Sequence, residues 1–338
     1  MPGFISTGST IAAGIRDDFM GTYEPAFAGV LESLGDAMQL DVPFNHRTET
    51  FGMHETMPYP ERFDEGNESI PEEGTGSKSF SVTTFDYGKR VSWKIKDRED
   101  NKIGDLRAKA AMLGQHFASL PSRAFIELIT GSTSLLPAVP NAPDGAAPYS
   151  TTDGASAARF GVTDGNIVTG GGVSTSALIE TDFFAAIARM GQFQDVKGQP
   201  YWEPSVLQER YTIFHGIALL KVFTQAFAAN SVFGYRAGTS TTDTSTSAGV
   251  SNVILASGVQ VTLRATSRIT DNDWFIFRGG SPVKPFFKGI RRALTMEDSI
   301  MGGNSTEATQ TTGKEWVQFT ERDAFGVNVP FATVKVNN

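Results

Sequence analysis

Cysteine is absent from the 338 residues, which removes disulfides, thiolate metal sites and cysteine nucleophiles together. That fits a reducing compartment without fixing one. Histidine is scarce as well. His46, His54, His116 and His215 are the only four, and none stands in HxxxH or HExxH spacing. A transition-metal centre therefore lacks its usual donors in any usual arrangement, and no cofactor is expected. No run of about 18 apolar residues occurs, so neither a transmembrane helix nor a membrane partner is expected. The opening Met1-Pro2-Gly3-Phe4-Ile5-Ser6 lacks the basic and apolar regions of a signal peptide. Positive charge is in short supply too: 29 Lys and Arg against 37 Asp and Glu give a net charge of -8. Tight, sequence-independent DNA binding takes clustered cations. An acidic chain can still line a container that holds DNA.

Catalytic patterns are missing in the same way. Gly74-Thr75-Gly76-Ser77-Lys78-Ser79 looks like a phosphate loop at first, but Ser77 stands where a Walker loop needs Gly, and a strand pattern follows instead of a helix. Gly170-Gly171-Gly172 precedes a helix pattern without GxGxxG or an acidic partner downstream, so it reads as a flexible loop. The adjacent pairs Asp17-Asp18, Glu72-Glu73 and Glu99-Asp100 sit in polar surroundings and read as solvated surface. No GxSxG elbow is present. The residues offer no catalytic set, and no enzyme is expected.

What the chain does have is a core. Hydrophobic residues make up 40% and charged residues 20%, which excludes wholesale disorder. The 25 Phe are spread along the sequence, implying many packing surfaces instead of one aromatic pocket. In residues 1–40 the positions Phe19, Tyr23, Phe27, Val30, Leu31, Leu34 and Met38 recur at helical spacing, with Asp17 or Asp18 as the expected cap and Pro25 near the first turn. Residues 104–131 carry the best helical stripe, with Leu106, Leu113, Phe117, Leu120, Ala124 and Leu128. Pro121 should break it into 105–119 and 121–131, with Gly131 as the stop. Shorter helices are expected near 174–190 and 217–229, and a strand at 211–214. Segments 132–175 and 236–249 read as Ala, Gly, Ser and Thr loops. The last hundred residues are β-rich, with runs at 253–263, 274–278, 283–296 and 314–336. The class is α+β.

Residues 41–96 read as a long hairpin. Val91, Trp93 and Ile95 alternate with Ser92 and Lys94 on its returning run. Its tip, 61–77, carries Glu61, Asp64, Glu65, Glu68, Glu72 and Glu73 among glycines and a proline. A two-stranded hairpin of that length is marginal alone, so it needs a neighbouring subunit to lie on. The basic cluster Lys284, Lys288, Arg291 and Arg292 around Phe286 and Phe287 is too short for nucleic-acid binding. As a strand whose basic face meets a neighbour's acidic tip, it makes electrostatic sense.

This order of parts resembles the major capsid protein of tailed phages, with the Hong Kong 97 fold. Four stretches narrow the resemblance to the major head subunit of Mu-like phages: Val91 to Lys102, Gly114 to Thr130 with Pro121 inside it, Asp273 to Phe277 followed by Pro282 to Phe286, and Glu321 to Val327. The resemblance implies an N-terminal arm and helix at 1–40 and an extended E-loop at 41–96. It implies the P-domain spine helix at 97–135, mainly the A-domain at 136–270, and returning P-domain strands at 271–338. It further implies assembly into hexamers and pentamers of an icosahedral shell around double-stranded DNA, formed in the host cytoplasm and carried in the virion. Scaffolding, portal and decoration proteins are the implied partners. Only about 40 residues precede the hairpin, so a separate scaffold or an already trimmed chain is expected. Three other readings compete: an encapsulin-like shell that packages cargo protein, another phage structural protein of the tail or decoration, and a soluble enzyme with a β-rich binding domain.

Overall fold

The computed structural model describes residues 8–53, 78–96, 104–202, 210–227, 231–232, 250–251, 258–280, 283–301, 304–305 and 313–338. The chain divides into two compact units. The first comprises residues 1–49, 81–125 and 287–326; the second comprises 50–80, 126–286 and 327–338.

The N-terminal half opens with α1 (Gly8–Leu34), β1 (Met38–Pro43), β2 (Thr48–Met53), β3 (Lys78–Thr83) and β4 (Phe85–Lys94), followed by α2 (Gly104–Ala118) and α3 (Leu120–Thr130). Then come β5 (Ile167–Thr169), α4 (Ser176–Gly191), β6 (Arg210–Gly216), α5 (Leu220–Phe227) and the two-residue strands β7 (Ser231–Val232) and β8 (Val250–Ser251). The C-terminal part is β9 (Gln260–Thr266), β10 (Trp274–Arg278), β11 (Phe286–Asp298), the short β12 (Ile300–Met301) and β13 (Asn304–Ser305), β14 (Lys314–Val327) and β15 (Thr333–Asn337).

The first unit is built on a four-stranded sheet in the order β1-β11-β14-β4. β14 pairs antiparallel with β4 over ten residues, from Lys314 opposite Lys94 to Asp323 opposite Phe85. α1 and α2 cover this sheet with a core of Ile11, Ile15, Phe19, Trp93, Phe117, Val317 and Phe319. Phe19 stacks on Phe319 with ring centroids 4.0 Å apart. The two helices come close because residue 114 is glycine: a Cβ there would lie 2.4 Å from the Phe19 carbonyl oxygen. Thr22 Oγ1 donates to the Ala111 carbonyl at 2.8 Å, and Arg107 grips Asp18 through two nitrogens.

The break in the long helix falls at Ser119, and Pro121 occupies the second position of α3, where its missing N–H costs no helical bond. Gly131 follows with φ +78, the left-handed stop that glycine supplies most readily. α1 departs from expectation at its start. It begins by Gly8, so Asp17 and Asp18 are mid-helix and cap nothing, and Pro25 lies well inside. Asp18 is instead fixed by Arg107.

The hairpin region is also divided differently. β1 and β4 belong to the four-stranded sheet, and only β2 and β3 pair with each other as a two-stranded ribbon. Val91 and Trp93, the alternating residues of the returning run, pack on the core of their own chain. The tip lies outside the described residues, as do 236–249 and 253–257.

The second unit contains a five-stranded sheet in the order β5-β15-β10-β6-β9. β10 pairs antiparallel with both β15 and β6, while β15 with β5 and β6 with β9 are parallel. Trp274-Phe275-Ile276-Phe277-Arg278 is buried at every position, the unbroken apolar pattern of a strand covered on both faces. α4, capped by the Thr175 side chain accepting from the Leu178 amide, and α5 pack Phe183, Phe223 and Phe227 against Tyr211 and Trp274.

Candidate functional site

β14 alternates strictly over its first ten residues, Lys314 to Asp323. Glu315, Val317, Phe319, Glu321 and Asp323 are buried, whereas Trp316, Gln318, Thr320 and Arg322 are partly exposed. Period-two alternation puts these sets on opposite faces of the sheet, and each face carries its own charges.

The outer face is basic. Arg322 makes a two-pronged ion pair with Asp86 on β4, at 2.6 and 2.7 Å. Arg292 donates to Thr320 Oγ1 at 3.0 Å, and Arg291 donates to the Asn45 carbonyl. Arg291, Arg292 and Arg322 line a groove of about 480 Å³ with Phe44 and Asn45. Among the described residues, Asp86 and Glu49 bring negative charge to it. The hydrogen bonds from Arg322 hold the Asp86 carboxyl below its usual range, with the fields of Arg322, Arg292 and Arg47 adding to them. Glu49 is held low by the amides of His46 and Asn45. Further along, the Arg90 guanidinium sits 4.1 Å over the Trp316 ring and donates to Gln318 Oε1. Forked guanidinium donors on a surface are suited to carboxylate or phosphate oxygens.

Of the four cations singled out in the sequence, the structure brings Arg291 and Arg292 together in this groove. Lys288 is a correction. It is 4% exposed and turns to the inner face, so it contributes nothing to a basic surface. Lys284 lies before β11, half-buried and engaged within the chain. Arg322 and Arg47 were missed. The outward row 316, 318, 320, 322 was the available signal for Arg322. Glu61, Asp64, Glu65, Glu68, Glu72 and Glu73 lie outside the described residues.

The inner face holds a buried charge cluster. Lys288 Nζ is 2.7 Å from Asp323 Oδ2 and 3.6 Å from Glu321 Oε2. Phe27 and Tyr23 of α1 close over it: the Lys288 ammonium is 6.0 Å from the Phe27 ring. Burial raises the Glu321 carboxyl to about 7, with Lys288 opposing and Asp323 reinforcing the rise. Burial also raises Asp323, against the pull of Lys288. The Tyr23 hydroxyl is pushed up to about 12 by burial and by both carboxylates.

Other flagged residues have structural employment. The Gly171 amide donates to both oxygens of Asp182, and the Gly172 amide to Asn338 Oδ1; the chain's own acceptors therefore fill this turn. His215 is buried, donates from Nδ1 to the Gly216 carbonyl, and stacks on Phe223 at 4.3 Å. Burial lowers its pKa. His116 is exposed at the end of α2. A cavity of about 340 Å³ in the second unit is lined by Asp144, Asp153, Arg159 and Asp195. Its buried Arg159 is saturated by Asp144, Asn166 and the carbonyls of Ala147 and Pro148, an arrangement that secures a loop. Among the described residues no three His, Asp or Glu side chains come together as a metal site. None of the described helices is long and apolar enough to cross a membrane.

No family model matches this sequence, and no curated protein matches it. Solved structures do. The capsid structure of the cyanophage P-SCSP1u matches over 90% of this chain and 86% of its own, with 11% identity and a TM-score of 0.52. The capsid of an empty GTA particle matches over 90% of both chains at 11% identity and TM-score 0.49. A virus-like particle from Pyrococcus furiosus matches over 97% and 98% at 9% identity and TM-score 0.48. At 11% identity the likeness to the cyanophage capsid is one of fold, and it covers 90% of this chain.

Proposed function

We propose that this chain, which has the α+β Hong Kong 97-type capsid fold, is the major capsid subunit of a tailed phage. Many copies would close into an icosahedral shell of hexamers and pentamers around double-stranded DNA. The observation that carries this reading is the cyanophage capsid match, which spans 90% of the chain. The finer reading is a Mu-like major head subunit, supported by the four sequence stretches given above. Its role is structural, in the virion, with assembly in the host cytoplasm and with scaffolding, portal and decoration proteins as partners.

In this reading, residues 1–40 form the arm and helix, 41–96 the E-loop region, 97–135 the spine, 136–270 mainly the A-domain and 271–338 the returning strands. The acidic segment containing Glu61, Asp64, Glu65, Glu68, Glu72 and Glu73 meets the basic surface of a neighbouring copy. Arg291 and Arg292 are the basic residues of that surface retained from the sequence. Heterologous contacts of this kind repeat around an axis and close a ring, and obligate interfaces of shells bury several thousand Å².

Expression of the chain alone, followed by size-exclusion chromatography and negative-stain electron microscopy, tests the proposal. Hollow shells, sheets or capsomer rings support it. A monomer that stays inert when a scaffold partner is supplied overturns it. The nucleic-acid content of purified particles separates a DNA-filled head from a cargo-filled encapsulin shell. Charge reversal at Glu72 and Glu73 should impair assembly, and normal particles from that variant would remove the charge-pairing proposal while leaving the shell reading intact.

A further inference from the structure

The buried cluster beneath α1 contains two carboxylates and one ammonium. Lys288, Glu321 and Asp323 side chains are 4%, 4% and 1% exposed in their ion pairs, so bulk water does not screen them. With both carboxylates ionised the cluster carries one net negative charge away from solvent, a costly arrangement. Its hydrogen bonding shows the same imbalance. Glu321 Oε1 and both Asp323 oxygens find no hydrogen-bond donor of proper geometry among the described residues, Lys288 reaching Asp323 Oδ2 as an ion pair only. Two carboxylate oxygens are both acceptors and cannot pair until one of them carries a proton. A single proton thus corrects the charge and supplies the missing donor.

Among the described residues, the groups around the cluster provide no alternative cation. α1 contributes Tyr23, whose hydroxyl stays protonated to about pH 12, and the Phe27 ring. β4 contributes Tyr87, opposite Glu321 in the strand register. β11 contributes Lys288 itself, and β14 both carboxylates. The neighbouring Arg322 is on the other face, paired with Asp86.

We propose that Lys288, Glu321 and Asp323 form a proton-operated latch for α1: with a proton on the carboxylate pair the helix is clamped over the sheet, and as that proton leaves the helix opens more readily. Opening would expose the carboxylates to water, where the second negative charge is tolerated. The sign follows from the raised Glu321 pKa. The closed state binds the proton more tightly than the open one, so closure is strongest below the ordinary glutamate range of about 4.3 and weakens as pH rises through about 7. The latch belongs to one copy of the chain and is independent of whether shells form.

Hydrogen exchange of the full chain, followed by mass spectrometry and corrected for the intrinsic pH dependence of amide exchange, reads the latch directly. Protection of α1 amides around residues 19–30 should fall by roughly tenfold per pH unit between about pH 5 and 7, the slope of one linked proton, and then level off. Glu321→Gln, which is neutral at every pH and offers a donor, should remove that slope. A flat wild-type profile, or the same slope in both proteins, overturns the proposal. If Glu321→Gln does not fold, infrared spectroscopy of the wild-type protein decides. A protonated-carboxyl carbonyl band at pH 6 that disappears by pH 8.5 supports the latch, and its absence at pH 6 overturns it.

Discussion

Lys288 Nζ and Asp323 Oδ2 lie 2.7 Å apart in the interior of the first unit, one on β11 and the other on β14. Removing the cation strands two carboxylates where water does not reach. Lys288→Met should therefore cost on the order of 3–5 kcal/mol at neutral pH, measured as the shift in urea midpoint at unchanged slope. The loss should be smaller at pH 5, where a carboxyl is more readily neutralised. Equal losses at both pH values would show that packing, and not charge, is what the lysine supplies.

Glu321 and the exposed carboxylates pull stability in opposite directions with pH. Asp18 and Asp86 are held low by hydrogen bonds from Arg107 and Arg322; their contribution is present above the ordinary aspartate range and lost as pH falls through their depressed values. Glu321 is raised to about 7; its contribution is full below the ordinary glutamate range and is lost as pH climbs towards 7. Wild type should gain less stability than Glu321→Gln between pH 4.5 and 7. Parallel denaturation series at half-unit pH steps check this.

Gly114 is where α1 and α2 approach most closely. Alanine is the better helix former by about 1 kcal/mol, yet its Cβ would meet the Phe19 carbonyl at 2.4 Å. Gly114→Ala should thus destabilise by about 1–3 kcal/mol, while the same change at Gly21, with nothing within 4 Å, should be neutral or stabilising. Thermal unfolding of the pair gives the comparison.

Glu127 ends the second half of the broken helix by turning its carboxylate onto the loop that follows. Both oxygens accept from the Leu135 amide and one also from the Leu136 amide, at 2.7 to 2.8 Å, and the residue is 7% exposed. Glu127→Ala should cost about 2–3 kcal/mol through unpaired buried amides, and Glu127→Gln less, since it keeps one acceptor. Amide exchange at residues 135 and 136 should accelerate in step.

Much of this architecture can be read from local pattern. The helix break is legible because proline weakens a helix interior and is tolerated in a first turn, where Pro121 falls, and the stop at Gly131 because a left-handed residue is needed there. The buried β10 is legible from Trp274 to Phe277, which leaves no polar position for solvent. The site is less legible, for reasons of distance along the chain. Lys288 belongs by sequence to a basic run with Arg291 and Arg292, and the carboxylates that draw it inside come from a strand reached only after two intervening loops. Asp17-Asp18 reads as a surface pair or a cap because the partner of Asp18 is Arg107. Arg291 and Arg292 are adjacent and share one groove, so simple period-two alternation from Lys288 does not mark which cation turns inward.

The four-stranded sheet joins β1 and β4 from the first hundred residues to β11 and β14 from the last fifty. During synthesis, α1, β4 and α2 leave the ribosome well before Val317 and Phe319, the side chains that complete their core. Until then Phe19 has Tyr23 and Phe117 to pack against but lacks Phe319. Folding of this unit is consequently slow for its size, and a nascent chain stalled before residue 314 presents sticky apolar surface at high local concentration. A closed first unit is thereby a certificate that translation has passed β14.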